Sequence, residues 1–319
     1  MRKEIVYAGP STALPVVSEV LADFDVTCID EAPTSLAVAL RDAHGYIDAT
    51  TWLPLDLGTL DEAKNLSVIS LASTGDNHID RRAADRLGIP VRTLSDDPAL
   101  IADLPPTAEH TWALILACAR RIPFAHQDVV SGSWNRQAFA GTMLSGRQLG
   151  VVGCGRLGTR VAGYAIAFGM NVVGYDPYVD DWPLGVAAVN LPQLFSTSDV
   201  ISLHVPLNAE TSSMVNSTLL GQVKHGAIFV NTSRGGLVDE VALLEALCDA
   251  RIGSAGLDVL DGEPFVAEHP LVAYARHHDN LVLTPHLGGF VTEAVNYACR
   301  IAAERVAEHF NSCEGDDVG

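Results

Sequence analysis

Cations are scarce in this sequence: 20 Lys and Arg stand against 39 Asp and Glu, a formal net charge of -19. Such an excess repels phosphate backbones and anionic membrane surfaces, so nucleic-acid and membrane partners are not expected. The six cysteines, Cys28, Cys118, Cys154, Cys248, Cys299 and Cys313, show neither CxxC spacing nor a framework of close pairs, which excludes a disulfide-stapled scaffold and fits a reducing cytoplasm. No apolar run near the N-terminus is long enough for a signal-peptide core or a membrane span, because Gly9, Pro10 and Pro15 interrupt it. Metal-ligand spacing is missing too. No HxxxH or HExxH occurs, and His277 and His278 are adjacent and point apart, so no metal is expected. There is no internal repeat of solenoid type. What the chain does have is length, 319 residues, and 48% hydrophobic content, enough for two buried cores.

The first hundred residues alternate short apolar runs (IVYAG, DVTCI, GYIDA, SVISLA, PVRTL) with helical patterns, the rhythm of parallel strands and crossover helices. Ile79 to Leu87 reads as a helix stopped by Gly88 and Pro90. TAEHTWALILACARR, from Thr107, is a strongly apolar helix with Arg120 and Arg121 at its C-terminal dipole, read as a buried interdomain helix. The following SGSWNRQAFAGTMLSG suits a surface loop or an arm gripping a second subunit. From Gln148 a second series begins, with strands at LGVVG, NVVGYD, VISLHVP, AIFVNTS, SAGLDVL and NLVLTPH separated by helices, which is a complete doubly wound unit. TEAVNYACRIAAERVAEHF is a further helix able to return to the first domain, and the polar tail EGDDVG is expected to fray.

Gly153, Gly155 and Gly158 in VVGCGRLG follow an apolar strand and open an apolar helix, and Asp176 ends the next strand. That context reads as a dinucleotide fingerprint. The first glycine allows the tight turn, the second a close approach to pyrophosphate and the third helix-strand packing, while the helix N-terminus offers N–H groups. Asp176 would accept from the adenosine ribose and repel a 2'-phosphate, which favours NAD over NADP. An ordinary glycine-rich turn or a methyltransferase cofactor loop is the competing reading. Arg234, Glu263 and His286 each follow a strand of the second series, at the carboxyl edge where open α/β sheets bind ligands. An arginine there can grip a carboxylate through two parallel hydrogen bonds, and a histidine oriented by a carboxylate can exchange a proton near neutral pH. Taken singly each has a plainer explanation as a surface charge or a strand-end histidine. His204, ending VISLHVP, is either a cofactor neighbour or a histidine satisfied within the fold.

Together these motifs resemble the D-isomer-specific 2-hydroxyacid dehydrogenase family, which includes phosphoglycerate, glycerate and D-lactate dehydrogenases. The resemblance runs from STGDNHID at Ser73 through TAEHTWALILACAR, LGVVGCGRLG, VVGYDPY, HVPL, NTSRGGLVDE and GLDVLDGEP to TPHLGG. It implies an α/β architecture of two doubly wound domains: a Rossmann cofactor domain, residues 99–287, inserted into a flavodoxin-like substrate domain, residues 1–98 plus 288–319, with the active site in the cleft. It further implies His286 as acid-base, Glu263 as its partner and Arg234 as substrate anchor. The implied NAD contacts are Gly153, Gly155, Arg156, Leu157, Gly158, Asp176, His204, Thr232, Ser233, Arg234, Asp258 to the carboxamide, and His286 with Gly288 and Gly289. Ser73, Thr74 and Gly75 would hold the substrate carboxylate through their backbone. The expected partners are a small anionic 2-keto or 2-hydroxy acid and, from the family alone, a second copy of the chain in a homodimer.

Two departures qualify the resemblance. Phosphoglycerate dehydrogenases usually carry a basic residue after the strand matching GYIDA; here IDATTW offers Asp48, which points away from phosphorylated acids. No separate regulatory domain is expected after the closing helix. Formate dehydrogenases share fold and arginine but pair the histidine with a glutamine, so Glu263 argues for proton-coupled hydride transfer. An NAD-sensing corepressor-like scaffold of the same fold is the alternative from another functional class.

Overall fold

A computed structural model describes residues 2–315; the tail expected to fray lies, from residue 316 on, outside the described residues. The chain divides into two compact units, Met1–Leu104 with Phe290–Gly319, and Pro105–Gly289.

In the smaller unit the five apolar runs become parallel strands: β1 (Glu4–Ala8), β2 (Asp25–Ile29), β3 (Gly45–Asp48), β4 (Val68–Leu71) and β5 (Val91–Arg92). Their order, β2-β1-β3-β4-β5, is the flavodoxin-like arrangement. Helices α1 (Leu14–Val20), α2 (Pro33–Ala39), α3 (Leu57–Glu62), α4 (Arg81–Leu87) and α5 (Pro98–Ile101) lie between or after them. The α4 helix starts two residues later than its apolar pattern suggests, because Asp80 serves as N-cap and accepts from the Ala83 N–H; Gly88, at φ 72, ends it.

The larger unit holds β6 (Gln148–Val152), β7 (Asn171–Tyr175), β8 (Val186–Ala188), β9 (Val200–Leu203), β10 (Ala227–Asn231), β11 (Ile252–Leu257) and β12 (Leu281–Leu283), all parallel, in the order β12-β11-β10-β9-β6-β7-β8. This is the doubly wound Rossmann order with one more strand at an edge than the six expected; β8 is three residues long and carries no periodicity a sequence could display. Its helices are α6 (Pro106–Arg120), α7 (Ile122–Val130), α8 (Arg156–Ala167), α9 (Leu191–Thr197), α10 (Ser217–Leu220), α11 (Glu240–Cys248) and α12 (Pro270–Ala275). The paired arginines after α6 read as a stop, yet Arg121 turns through φ 54 and Pro123 opens α7 immediately. The last helix, α13 (Thr292–Gly315), returns to the smaller unit, where Cys299, Ala302, Ala303, Val306 and Phe310 pack on Ile5, Tyr7, Ile47 and Val68. The alternate residues Val6, Ala8, Tyr46 and Ile69 face a second core on the other side, so both faces of the central strands β1, β3 and β4 are covered, whereas the edge strand β2 is largely exposed.

Two features of the larger sheet position the site. First, β6 pairs with β7 on one side and β9 on the other, so the winding reverses there and a crevice opens beyond the strands' carboxyl ends. Second, β10, β11 and β12 are neighbours, so whatever follows them in sequence is gathered at one edge. Phe229, fully buried at the centre of β10, anchors this part of the sheet. Its truncation to alanine leaves a large cavity and should cost roughly 3–5 kcal/mol in denaturant unfolding; a loss below about 1 kcal/mol would show that β10 is not held by its core.

Candidate active site

The glycine fingerprint occupies the turn between β6 and α8. Gly153 has φ 90, and a Cβ on it would lie 2.6 Å from the His204 carbonyl, so only glycine lets the two strand ends approach. A Cβ on Gly158 would lie 1.9 Å from the Gly153 carbonyl, which makes it the packing glycine. At Gly155, the N-cap of α8, nothing lies within 4 Å of the Cβ position. That open space above the N-terminus of a twelve-residue helix fits a pyrophosphate against backbone N–H groups. Arg156 and Leu157 begin the helix; burial and the neighbouring Arg160 lower the Arg156 guanidinium from its ordinary value, and Leu157 packs into the core beneath. Asp176 follows β7 and accepts from the Cys154 N–H (2.8 Å) and the Tyr178 N–H (2.9 Å), so the carboxylate is fixed against the glycine turn. His204 follows β9 on the other side of the crevice. Its Nε2 pairs with Ser202 Oγ at 2.9 Å, its Nδ1 is a buried atom without a partner, and burial pushes the ring down to about 4, leaving it neutral.

Arg234, Glu263 and His286 follow the adjacent strands β10, β11 and β12. The Arg234 turn is built by Asn231, a buried residue absent from the sequence reasoning: its side-chain amide donates to the Arg234 carbonyl (2.8 Å) and accepts from the Ser233 N–H (3.0 Å). Ser233 Oγ donates to the Leu203 carbonyl, and Thr232 Oγ1 shares a 2.7 Å bond with Thr111 on α6. Glu263 and His286 meet directly: His286 Nδ1 donates to Glu263 Oε1 at 2.6 Å, each side chain being 27% exposed. The other oxygen of Glu263 accepts from the Leu260 N–H at 3.2 Å. Because Nδ1 is committed to the carboxylate, Nε2 is the ring atom left to exchange a proton.

His286 sits at φ 55, a left-handed backbone that non-glycine residues seldom adopt. Asp258 imposes it. Its carbonyl accepts from the His286 N–H (2.8 Å), Oδ1 accepts from the Leu287 N–H (2.7 Å) and Thr284 Oγ1 (2.6 Å), and Oδ2 accepts from the Gly288 N–H (2.8 Å). His110 Nε2, on α6, lies 3.1 Å from the same Oδ1. The sequence suggests a carboxamide contact for Asp258; in the structure its carboxylate is first a clamp on the His286 turn, with spare acceptor capacity on Oδ2 alone. Gly288 is buried against it, whereas Gly289 is exposed. His110 and Thr284 had no local signal, a histidine in an apolar helix and a threonine at a strand end being unremarkable by themselves.

Ser73, Thr74 and Gly75 follow β4 in the smaller unit, where Ser73 Oγ donates to the Gly75 carbonyl at 2.7 Å and the Thr74 carbonyl accepts from Ser95 Oγ at 3.0 Å. Asp48 is 2% exposed and turned into this unit. Its carboxylate takes the Thr50 N–H and hydroxyl and pairs with His78 Nε2 at 2.8 Å. The carboxylate is thus engaged by partners within this unit, and no Lys or Arg occurs between Arg41 and Lys64.

Burial pushes the Asp258 carboxyl up, but the hydrogen bonds from His110, Thr284 and the Leu287 N–H outweigh it and hold the group below the ordinary carboxylate range. A depressed folded value contributes stability above the unfolded pKa of about 4 and loses it as pH falls further through the folded value. Asp258→Asn replaces one acceptor oxygen by an NH2 group facing backbone donors. It should cost roughly 2–3 kcal/mol at neutral pH and flatten the acid limb of the stability profile below about pH 4. An unchanged acid limb in the variant would remove Asp258 from this role.

Residues 112–288 match the family described as the D-isomer specific 2-hydroxyacid dehydrogenase, NAD binding domain. A D-3-phosphoglycerate dehydrogenase of Synechocystis is 39% identical over 280 residues, 86% of this chain but 47% of that protein. A hydroxypyruvate reductase of Thermotoga maritima is 39% identical over 251 residues, 79% of each chain. The chain thus spans about half the length of that phosphoglycerate relative and most of the length of the reductase. Among solved structures, a D-lactate dehydrogenase from Aquifex aeolicus, complexed with NAD and lactic acid, superposes with a TM-score of 0.84 at 27% identity, covering 97% of this chain and 96% of that one. Among the described residues no helix is long and apolar enough to cross a membrane.

Proposed function

The chain belongs to the D-isomer-specific 2-hydroxyacid dehydrogenase family, and from that membership we propose that it interconverts a small unphosphorylated 2-keto acid and its D-2-hydroxy acid. The observation that carries this reading is the 2.6 Å bond between His286 Nδ1 and Glu263. A carboxylate behind the ring commits Nδ1 and leaves Nε2 for the substrate, and a family member that moved hydride without a proton would have no use for that pairing. NAD, when bound on the glycine turn, supplies or takes up the hydride at the alpha carbon.

In the reducing direction His286 gives its Nε2 proton to the keto oxygen, while Glu263 balances the charge the ring carries beforehand. Arg234, held at the carboxyl edge by Asn231, grips the substrate carboxylate and stabilises charge developing on the neighbouring oxygen. In the oxidising direction neutral His286 removes the hydroxyl proton. Thr232, Ser233, Gly288 and Gly289 border the nicotinamide in this reading. The absence of Lys and Arg between residues 41 and 64 supports the choice of unphosphorylated acids, and the hydroxypyruvate reductase and D-lactate dehydrogenase relatives give the substrate class its scale.

NADH oxidation against pyruvate, hydroxypyruvate and phosphohydroxypyruvate, with NADPH in parallel, tests the proposal. Turnover is expected with NADH and a non-phosphorylated acid, and His286→Ala should lower it by roughly 10²- to 10⁴-fold. Full turnover in that variant, or a preference for NADPH, would overturn the roles given to His286 and Asp176.

The same reading includes a homodimer. Helix α7 buries none of its residues, and Ile122, Val129, Val130, Trp134 and Met143 are all exposed, Trp134 by 84%. Large apolar side chains concentrated in the one segment from Ile122 to Met143 mark an interface more than a free surface, and its assigned occupant is a second copy of the chain. Sedimentation should give a dimer that Trp134→Glu weakens; a wild-type monomer at micromolar concentration would dismiss this assignment.

A further inference from the structure

A second glutamate-histidine pair lies in the same unit as the first. Glu240 is the first residue of α11, and its Oε2 pairs with His269 Nε2 at 2.8 Å, the side chains being 13% and 15% exposed. His269 is the N-cap of α12, and its Nδ1 accepts from the Leu271 N–H at 3.2 Å. A ring that accepts at Nδ1 must carry its proton at Nε2, so His269 donates to Glu240 and cannot reverse the pair without uncapping α12. The remaining oxygen of Glu240 accepts from the Asp261 N–H at 3.1 Å.

Residues 260 and 261 are where the site's parts touch. The Leu260 N–H donates to Glu263. On the opposite side, a Cβ on Gly235 would lie 2.1 Å from both the Leu260 carbonyl carbon and the Asp261 nitrogen, so the turn that carries Arg234 rests directly on this backbone. Glu240 grips the same dipeptide from the helix. We propose that Glu240 and His269 are positioning residues that hold the 258–263 loop so that Glu263 meets His286 and the Arg234 turn keeps its place. They touch no substrate; they act through Asp261. The inference rests on the role of Glu263 given above.

Two substitutions at one position separate positioning from simple packing. Asn at 269 can keep the cap on α12 but is too short to reach Glu240; Gln at 269 can place a donor where Nε2 lies. His269→Asn should lower kcat for 2-keto acid reduction by roughly ten- to a hundredfold with the KM for NADH unchanged, as expected for a misplacement of the reacting groups, and His269→Gln should restore most of it. The second readout does not depend on activity: the ring ¹⁵N resonances of His286, assigned by their loss in His286→Gln, should move in His269→Asn and Glu240→Gln and return to their wild-type positions in His269→Gln. Unmoved resonances in folded His269→Asn and Glu240→Gln overturn the proposal, and so does a change that Gln fails to restore. If the wild-type protein reduces no 2-keto acid, the functional reading fails while the resonances still decide this one.

Discussion

The site depends on one buried anion. Asp258 is 1% exposed, and an ionised carboxylate taken out of water is tolerable only if donors replace the lost hydration. Here they come from the Leu287 and Gly288 N–H groups, Thr284 and His110. Meeting that demand forces residues 284–288 to curl around the carboxylate, and the curl puts His286 at φ 55. The strain of a left-handed histidine, of order 1–3 kcal/mol, is offset by bonds that exist only in that conformation. The ring is thus aimed by its backbone before any ligand arrives, and Glu263 has only to fix its rotation and tautomer.

The opposite electrostatic problem arises with the substrate. A chain of net charge -19 repels anions at long range, so the anionic substrate proposed above would depend on local positive features at the sheet's carboxyl edge. On that reading Arg234 supplies one, and the N-terminus of α8 another for the cofactor's phosphates. Asp176 places a negative point beside it, bonded to the glycine turn itself, so the ribose and pyrophosphate sites proposed above would share one piece of backbone. In the smaller unit the reverse economy holds: the Asp48 charge is consumed internally by Thr50 and His78.

The fold was largely legible in the sequence because most strands are short, predominantly apolar runs and the glycines of the fingerprint lie two and three residues apart. Gly153 and Gly158 could be assigned separate jobs from their place between an apolar strand and an apolar helix, and a Cβ on Gly153 would meet the His204 carbonyl while one on Gly158 would meet the Gly153 carbonyl. The edge strand β8 escaped because three residues leave no period to read. In the site, Arg234, Glu263 and His286 could be singled out by their positions after strands, but their support could not. Asn231 looks like the end of an apolar run, and His110 lies 148 residues from Asp258. The charge of Asp48 was visible while its direction was not, since which way a strand-end side chain turns is decided by a partner thirty residues on.

The two glutamate-histidine pairs of the larger unit show why similar chemistry can serve two ends. In Glu263–His286 only Nδ1 is engaged among the described residues, and the side chains are about twice as exposed as in Glu240–His269, which leaves Nε2 open to a ligand. In Glu240–His269 both ring nitrogens are spoken for, one by a helix cap and one by the carboxylate. Burial pushes the Glu240 carboxyl up, and the Asp261 N–H and His269 pull it back without fully compensating. Such a group holds its place best when its proton donors stay put, which a capped α12 ensures. Proton mobility and positional rigidity make opposite demands on a histidine, and the difference between these two pairs lies in what occupies the second nitrogen.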